Sequence, residues 1–497
     1  MIKLGKNMKN SHDTINGKVL FQGEKSDRSI DREIKLTRVL ILFTLIASIF
    51  ATIDVVGILF QHARSGSVGA VLEQSIFIFI VAFLVYGNLV YQFTRLGYLH
   101  RKAKHCPAGI DELLSVFKRS GRGLTVLVPS YKEELNVVEQ TLWSAALQVC
   151  PDRRVVLLID NPPVPGDLKD QHLLDMTRRL PAKVERIIAE QAGYFRDAYH
   201  VYRKREEVDY LEETRRLAGY YAVAADWFEK QAGKFRVNSH TDRLFIDKVF
   251  AEPAAMYREY AHTLSTNGSN NIGVILNREQ IEDEYARLLA LFEVKLEYFE
   301  RKQYVNLSHE ANKAMNINSY LGLMGGSYCE RVRGQEIFLE PAIGQKADLL
   351  VPDTEFVVTL DADSIIAHDY SARLIHQLDQ PGNERVAVIQ TPYSAIPDAP
   401  GVLERIAGAT TDIQYIIHQG FTSYRATFWV GANALLRKKA LEDIVTISRE
   451  RGFEVRRYIQ DRTVIEDTES SVDLVARGWS LLNYPQRLAY SLSLIHI

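Results

Sequence analysis

Two long apolar runs stand near the start of the chain, Val39 to Phe60 with the single acid Asp54 and Val68 to Phe93 with Glu73 near its beginning. Each is long enough to cross the roughly 30 Å hydrocarbon core of a bilayer as a helix. The first lies too far from Met1, and lacks a small-residue cleavage site, for a secretory signal peptide. The link Gln61 to Ser67 carries Arg64 as its fixed positive charge. Arg32, Lys35 and Arg38 flank the pair on one side, and Arg95, Arg101, Lys102 and Lys104 on the other. The positive-inside rule then places both flanks and everything downstream in the cytoplasm. The expectation is a polar cytosolic tail over 1–38 and a transmembrane helical hairpin over 39–93, with Asp54 toward the outer face. Two buried helices of a soluble core are the alternative.

From Gly123 the pattern shortens. Leu124 to Pro129 is an apolar strand stopped by proline, followed by the loop Ser130-Tyr131-Lys132-Glu133-Glu134. A helix with Val138, Leu142 and Ala145 on one face comes next. A second strand, Val155 to Ile159, ends in Asp160-Asn161-Pro162-Pro163. Strand, helix, strand with polar residues at both strand ends opens a doubly wound, mostly parallel α/β fold that binds nucleotides. The first strand lacks a following Gly-x-Gly-x-x-Gly, which argues against a dinucleotide oxidoreductase. From Leu168 to Tyr304 the pattern is helical and charged. Its clearest part is 278–302, where Asn277 and Gln280 make a capping box. There Ile281, Tyr285, Leu288, Leu289, Phe292, Leu296 and Phe299 form one stripe at helical spacing, predicting a single helix. The block 168–305 reads as a helical insertion that splits one α/β domain into halves, 105–167 and 306–491.

In the second half, Phe356-Val357-Val358-Thr359-Leu360 is a buried strand ending in Asp361-Ala362-Asp363. Ligands of open α/β sheets sit beyond the carboxyl ends of the strands. Two carboxylates there repel unless a cation lies near, and hard ions such as Mg²⁺ or Mn²⁺ bring substrate phosphates with them. The plain alternative is an Asp-rich turn. Val386 to Pro392 and Phe428 to Ala434 follow as further strand-like stretches. Val464-Ile465-Glu466-Asp467-Thr468-Glu469 then opens a helix that ends at Gly478. Acids at a helix start are favoured in ionised form, as a proton acceptor or as a plain capping acid.

Bulk properties narrow this picture little. The 497 residues, 46% apolar and 25% charged, suit a folded chain of more than one domain. A net charge of −2 argues against a nucleic-acid partner. Cys106, Cys150 and Cys329 form no Cys-x-x-Cys pair and read as free thiols in a reducing compartment.

Taken in order, these motifs resemble the family 2 inverting glycosyltransferases with the GT-A fold, in particular their membrane-embedded, cellulose-synthase-like branch. Val128-Pro129-Ser130-Tyr131-Lys132-Glu133 is similar to the family's Val-Pro-x-Tyr-Asn-Glu loop, with Lys132 in place of Asn. The resemblance puts Pro129, Ser130, Tyr131, Glu133 and Asp160 on the donor side, with Tyr131, Glu133 and Asp160 holding uridine. Asn312-Lys313-Ala314 with Asn316 is similar to the stretch whose lysine lies near the diphosphate. Asp361 and Asp363 correspond to the family's metal-binding Asp-x-Asp, Asp363 being the better candidate for direct contact. Gln390, Thr391 and Pro392, with Gly431 and Asn433, match stretches lining the acceptor side. Ile465-Glu466-Asp467 stands where the family has Thr-Glu-Asp, which makes Asp467 the general base with Glu466 beside it.

The resemblance implies transfer of a sugar from a nucleotide diphosphate, UDP-linked by family habit, to a polysaccharide or glycolipid hydroxyl. It further implies a divalent cation and a multi-pass protein of the inner or plasma membrane with a cytoplasmic catalytic domain. The family's Gln-x-x-Arg-Trp is missing, since Gln486-Arg487 is followed by Leu488-Ala489. Residues 492–497 resemble a translated sequencing adapter, so a truncated product with a non-native tail is expected. Two other classes stay open. One is a haloacid-dehalogenase-type phosphatase with Asp361 as nucleophile, which leaves the Tyr131 loop and Asp467 unexplained. The other is a non-catalytic membrane sensor that binds a nucleotide sugar.

Overall fold

The computed structural model describes residues 27–109, 112–113, 123–265, 275–431, 433–463 and 465–491. The expected tail over 492–497 and most of that over 1–38 lie outside these residues. So do Ala432 and Val464, and part of the first half-domain's opening.

Both apolar runs are helical and longer than their apolar stretches: α1 spans Asp27–Arg64 and α2 Val68–Lys104. Phe43, Phe50, Phe79 and Phe83 all point outward. Both helices are long and apolar enough to cross a membrane. The few polar groups between them pair with each other, Gln92 Nε2 donating to Thr44 Oγ1 at 2.8 Å and Gln74 Nε2 to the Val55 carbonyl at 3.1 Å. Residues 27–38, expected as tail, are instead the first turns of α1. Ile30 and Ile34 there pack on Leu99 of α2, burial that a free tail would forgo.

The main body is built on one seven-stranded sheet. Its strands are β1 (Leu124–Ser130), β2 (Arg153–Ile159), β3 (Lys295–Phe299), β4 (Phe356–Thr359), β5 (Val386–Gln390), β6 (Ala434–Arg437) and β7 (Ser480–Asn483). Their spatial order is β7-β5-β6-β4-β1-β2-β3, and only β6 runs against the others. The winding reverses between β1 and β4, so the crevice for a ligand is expected outside their carboxyl ends. Pro129 does not stop β1, which continues to Ser130. The β1–β4 ladder has already ended at Leu127 opposite Thr359, so the missing N–H disturbs nothing on that side. Val126, Val128, Val155 and Leu157 face one buried layer and Leu127, Val156 and Leu158 the other, as a sheet covered on both faces requires.

Helix α3 (Leu135–Ala146) links β1 to β2. The connection from β2 to β3 is a helical block that includes α4 (Leu168–Arg203), α5 (Tyr210–Ala232), α6 (Glu252–Ser265) and α7 (Arg278–Phe292). The single helix expected over 278–302 is corrected here, because α7 ends at Phe292. Leu296 and Phe299, read as one helical face, are buried on opposite faces of β3, which pairs with β2. A Lys-Leu-Glu-Tyr-Phe stretch satisfies both periods over so short a run, and sheet pairing decides it. The block shares one aromatic core with α3, where Trp143 packs against Trp227, Phe235 and Phe250. A π-turn at Asp247–Ala251 abuts the short strand Ser364–Ile366, and Tyr257 hydroxyl meets His368 Nε2 at 2.7 Å.

The later helices include α8 (Lys313–Leu321), α9 (Tyr370–Leu378) and α10 (Val402–Ser423). The last joins the main body to α2. Gln419 Nε2 donates to the Tyr484 carbonyl at 2.6 Å, while Ser423 Oγ donates to the Gly97 carbonyl at 3.0 Å. A methyl group added at Gly420 would land on the backbone of Thr94. Gly420→Ala is therefore expected to destabilise the protein by about 1–3 kcal/mol, the usual cost of overpacking. Thermal unfolding in detergent checks this, with Gly57→Ala, where a methyl meets nothing within 4 Å, as the unchanged control.

Candidate active site

The carboxyl edge of the sheet collects the sequence motifs. Leu360 N–H donates to the Leu127 carbonyl at 3.0 Å, ending β4 and releasing Asp361-Ala362-Asp363 into a turn. Thr141 of α3 fixes that turn, its Oγ1 donating to the Ala362 carbonyl at 2.7 Å. Asn312 caps α8 by accepting from Met315 N–H at 2.6 Å, which sets Lys313 in the first turn. From there the Lys313 ammonium forms an ion pair with Asp361. Desolvation works to lower the Lys313 pKa, but Asp361, then Glu466 and Asp363, outweigh it and hold it above its ordinary value. One ammonium is thus paired with Asp361 and kept charged by acids from two distant segments.

The acids outnumber it. Burial, then the charges of Asp361 and Glu133, push Asp363 up to about 7. Desolvation, then Asp361 and Glu134, raises Glu133 as well. Negative charge crowded at one strand end is where a cation is stabilised.

On the β2 side, Asp160 is buried and clamped. Arg301 reaches its Oδ1 at 2.9 Å through Nε and 2.8 Å through Nη2, and Lys302 Nζ lies 3.2 Å from Oδ2. Arg301 is fully buried, and its guanidinium also donates to the carbonyls of Ser308, at 2.6 Å, and Glu310. It therefore ties the end of β2 to the loop leading into Lys313. Lys302 Nζ stands 6.0 Å over the exposed ring of Tyr131. Sequence reasoning missed both cations, since the supposed helix over 278–302 hid them. Reading Lys295–Phe299 as an alternating strand would have placed them at a strand end. Ser130 lies at the same edge, its carbonyl accepting Asp160 N–H at 2.9 Å, and Pro129 precedes it on β1.

Reversed β6 brings its start to this edge, with Ala434 opposite both Thr359 and Gln390. Gly431 has φ +55° and its N–H donates to Asp467 Oδ2, while Thr468 N–H reaches Oδ1 at 2.8 Å. Asp467 and Glu466 both lie in the first turn of α11 (Glu466–Ala476). The remaining acceptor-side residues turn inward. Gln390 uses both ends of its amide on the Phe428 carbonyl (2.9 Å) and Val430 N–H (3.0 Å). Thr391, Pro392 and Asn433 are buried. Asn433 donates to Ser491 Oγ at 3.1 Å, and its carbonyl accepts from the Tyr370 hydroxyl. Gln390 and the Asn433 amide nitrogen thus spend their hydrogen bonds within the fold.

At the carboxyl edge, carboxylates and a lysine thus converge from separate segments. Comparison with known families identifies the class of protein. Residues 356–493 match the family described as Glycosyl transferase family group 2, so the protein carries a family 2 glycosyltransferase domain and is a glycosyltransferase. No curated protein matches the chain. The matched stretch holds Asp361, Asp363, Gln390, Thr391, Pro392, Gly431, Asn433, Glu466 and Asp467. Pro129, Ser130, Tyr131, Glu133, Asp160 and Lys313 lie before it on the same sheet edge.

Proposed function

We propose that the protein transfers a sugar from a nucleotide diphosphate, of the UDP-sugar kind, to a hydroxyl of a polysaccharide or glycolipid acceptor at a membrane, on a GT-A domain and with inversion. The observation that carries this is the Lys313 ammonium, which pairs with Asp361 and feels Glu466 and Asp363. It makes one electrostatic unit of the diphosphate end and the base end. Tyr131, Glu133 and Asp160 hold the nucleoside, the ring offering a face and the acids accepting from base and ribose. Lys313 neutralises charge growing on the departing diphosphate. Asp467 takes the proton of the acceptor hydroxyl as that oxygen bonds to the anomeric carbon. The bond from that carbon to the diphosphate breaks in the same displacement, and the nucleoside diphosphate carries the electron pair away.

The residues present fit a divalent cation. Among the described residues no group of three or more His, Cys, Asp or Glu forms a metal cage. Asp361 and Asp363, completed by diphosphate oxygens, are the oxygen set that Mg²⁺ takes. When bound, the cation supplies further neutralisation of the leaving group. Because Asp363 is pushed up to about 7, it must lose a proton to become a ligand. Mg²⁺ affinity is therefore expected to fall roughly tenfold per pH unit below that value and to level off above it. Titration calorimetry in two buffers of different ionisation enthalpy reads the released proton. An affinity flat between pH 5 and 8 removes Asp363 from the ligand set.

The membrane role rests on α1, α2 and α10. Besides its buried side, α10 exposes Val402, Leu403, Ile406 and Ile413 as an apolar stripe, and just past its end the Tyr424 hydroxyl donates to the Phe93 carbonyl of α2 at 3.0 Å. Such a stripe suits the bilayer interface. The test of the whole reading is turnover of a labelled UDP-sugar by the full chain in lipid vesicles with Mg²⁺. Release of UDP with label in a polymer or lipid fraction supports it. Tight binding without turnover supports a sensor and rejects it.

A further inference from the structure

Away from the carboxyl edge, α4 and the free edge of β3 border an open groove of about 610 Å³ whose lining includes Asp175, Arg178, Arg179, Lys183, Arg186 and Tyr298. The α4 residues share one helix face, since neighbours there recur every three or four positions. Two of the cations already have acids. Arg178 holds Glu300 at 2.6 Å and Asp175 at 3.1 Å, and Lys183 holds Glu139 at 2.7 Å. Asp175 is the only acid among the lining residues, so none remains for the other two. Arg179 and Arg186 are exposed and form no ion pair with any described residue. Two helical turns separate them, about 10 Å along the axis. Tyr298 stands on the edge strand, 44% exposed, and stacks on no ring among the described residues.

Two free guanidiniums along one wall are complementary to phosphate oxygens, which they bind in forked pairs. A free aromatic face beside them suits a planar base. The groove is also wired to the crevice. Glu300 has its carboxylate buried on Arg178, which it grips through Nε and Nη2 at 2.6 and 2.8 Å. The next residue, Arg301, is the one that clamps Asp160.

We propose that this groove binds a phosphate-bearing ligand across Arg179 and Arg186, and that its occupancy shifts donor affinity through Glu300 and Arg301. The second half of this proposal rests on the donor reading given above. The ligand is a nucleotide whose base lies on Tyr298, or a free polyphosphate that ignores the ring.

The test uses the full chain in detergent, with UDP saturating the crevice and a fluorescent N-methylanthraniloyl ADP as probe. Binding that weakens tenfold or more in the R179E/R186E double variant supports the site. Added loss in Tyr298→Ala assigns a nucleotide. Displacement by inorganic pyrophosphate with no effect of Tyr298→Ala assigns a polyphosphate. Probe binding unchanged in the double variant, or absent with UDP present, overturns the site. Separately, UDP affinity is expected to shift severalfold when the probe binds, and the probe's affinity reciprocally with UDP. Glu300→Gln should erase that shift while both ligands still bind. Equal UDP affinity with and without probe overturns the coupling. UDP failing to bind the wild-type protein at all would instead mark failure of the donor reading, and R179E/R186E should leave UDP binding intact.

Discussion

Replacing Asp467 by asparagine is expected to lower sugar transfer by about 10²–10⁴-fold, the usual loss when a positioned general base is removed. UDP binding should be little changed. The argument is geometric: Gly431 and Thr468 each aim a backbone N–H at the carboxylate, so its oxygens are fixed where β6 enters the carboxyl edge. Asparagine keeps the shape and one acceptor oxygen but cannot take the proton. The signature is a fall in kcat at nearly constant KM for donor, because the base acts on the acceptor. Glu466→Gln gives the contrast. Glu466 acts on Lys313, so its loss should disturb donor affinity as well as rate. Transfer unaffected by Asp467→Asn would remove the proposed base.

Arg301→Met is the second large effect. A guanidinium with no exposed surface is lost, Asp160 keeps only Lys302, and the carbonyls of Ser308 and Glu310 lose their donor. Breaking a buried pair by removing one partner costs about 3–5 kcal/mol, because the remaining charge is uncompensated. Denaturant unfolding is expected to show that loss, with UDP affinity falling in parallel. Arg301→Lys should rescue little, since one ammonium cannot reach Asp160 and two separate carbonyls together. Full donor affinity in a folded Arg301→Met protein would detach Asp160 from the donor site.

The sheet was legible where strands were long and apolar. The stretches read as Leu124–Pro129, Val155–Ile159 and Phe356–Leu360 fall within two residues of the observed strands, and the acids after them followed from strand ends alone. The helical pattern read over 168–304 holds for α4 to α7, and the capping box at Asn277 and Gln280 is formed. β3 was not legible, because five residues following a helix satisfy either period and only pairing with β2 distinguishes them. That error concealed Arg301 and Lys302, whose importance lies in what they reach and not in their neighbours. Gln390 and Asn433 show the opposite limit. Motif position marked them, yet their side chains turn toward Val430, Phe428 and Ser491, a choice that only tertiary packing makes. The direction of β6 was likewise invisible in the chain, and it decides which end of Gly431–Asn433 meets the crevice.

The hydrogen bond from Thr141 to Ala362 spans 221 positions of chain. A ribosome therefore delivers one half of the crevice long before the other. While the intervening helices emerge, β1 lacks its central neighbour and leaves an open edge of the kind that invites mispairing. The helices on β2 and α3 arrive first and bury Trp143 early, shielding that unfinished edge from one face. Closure of the crevice is then a late step that cannot precede synthesis of Asp361, and activity should be the last property regained on refolding.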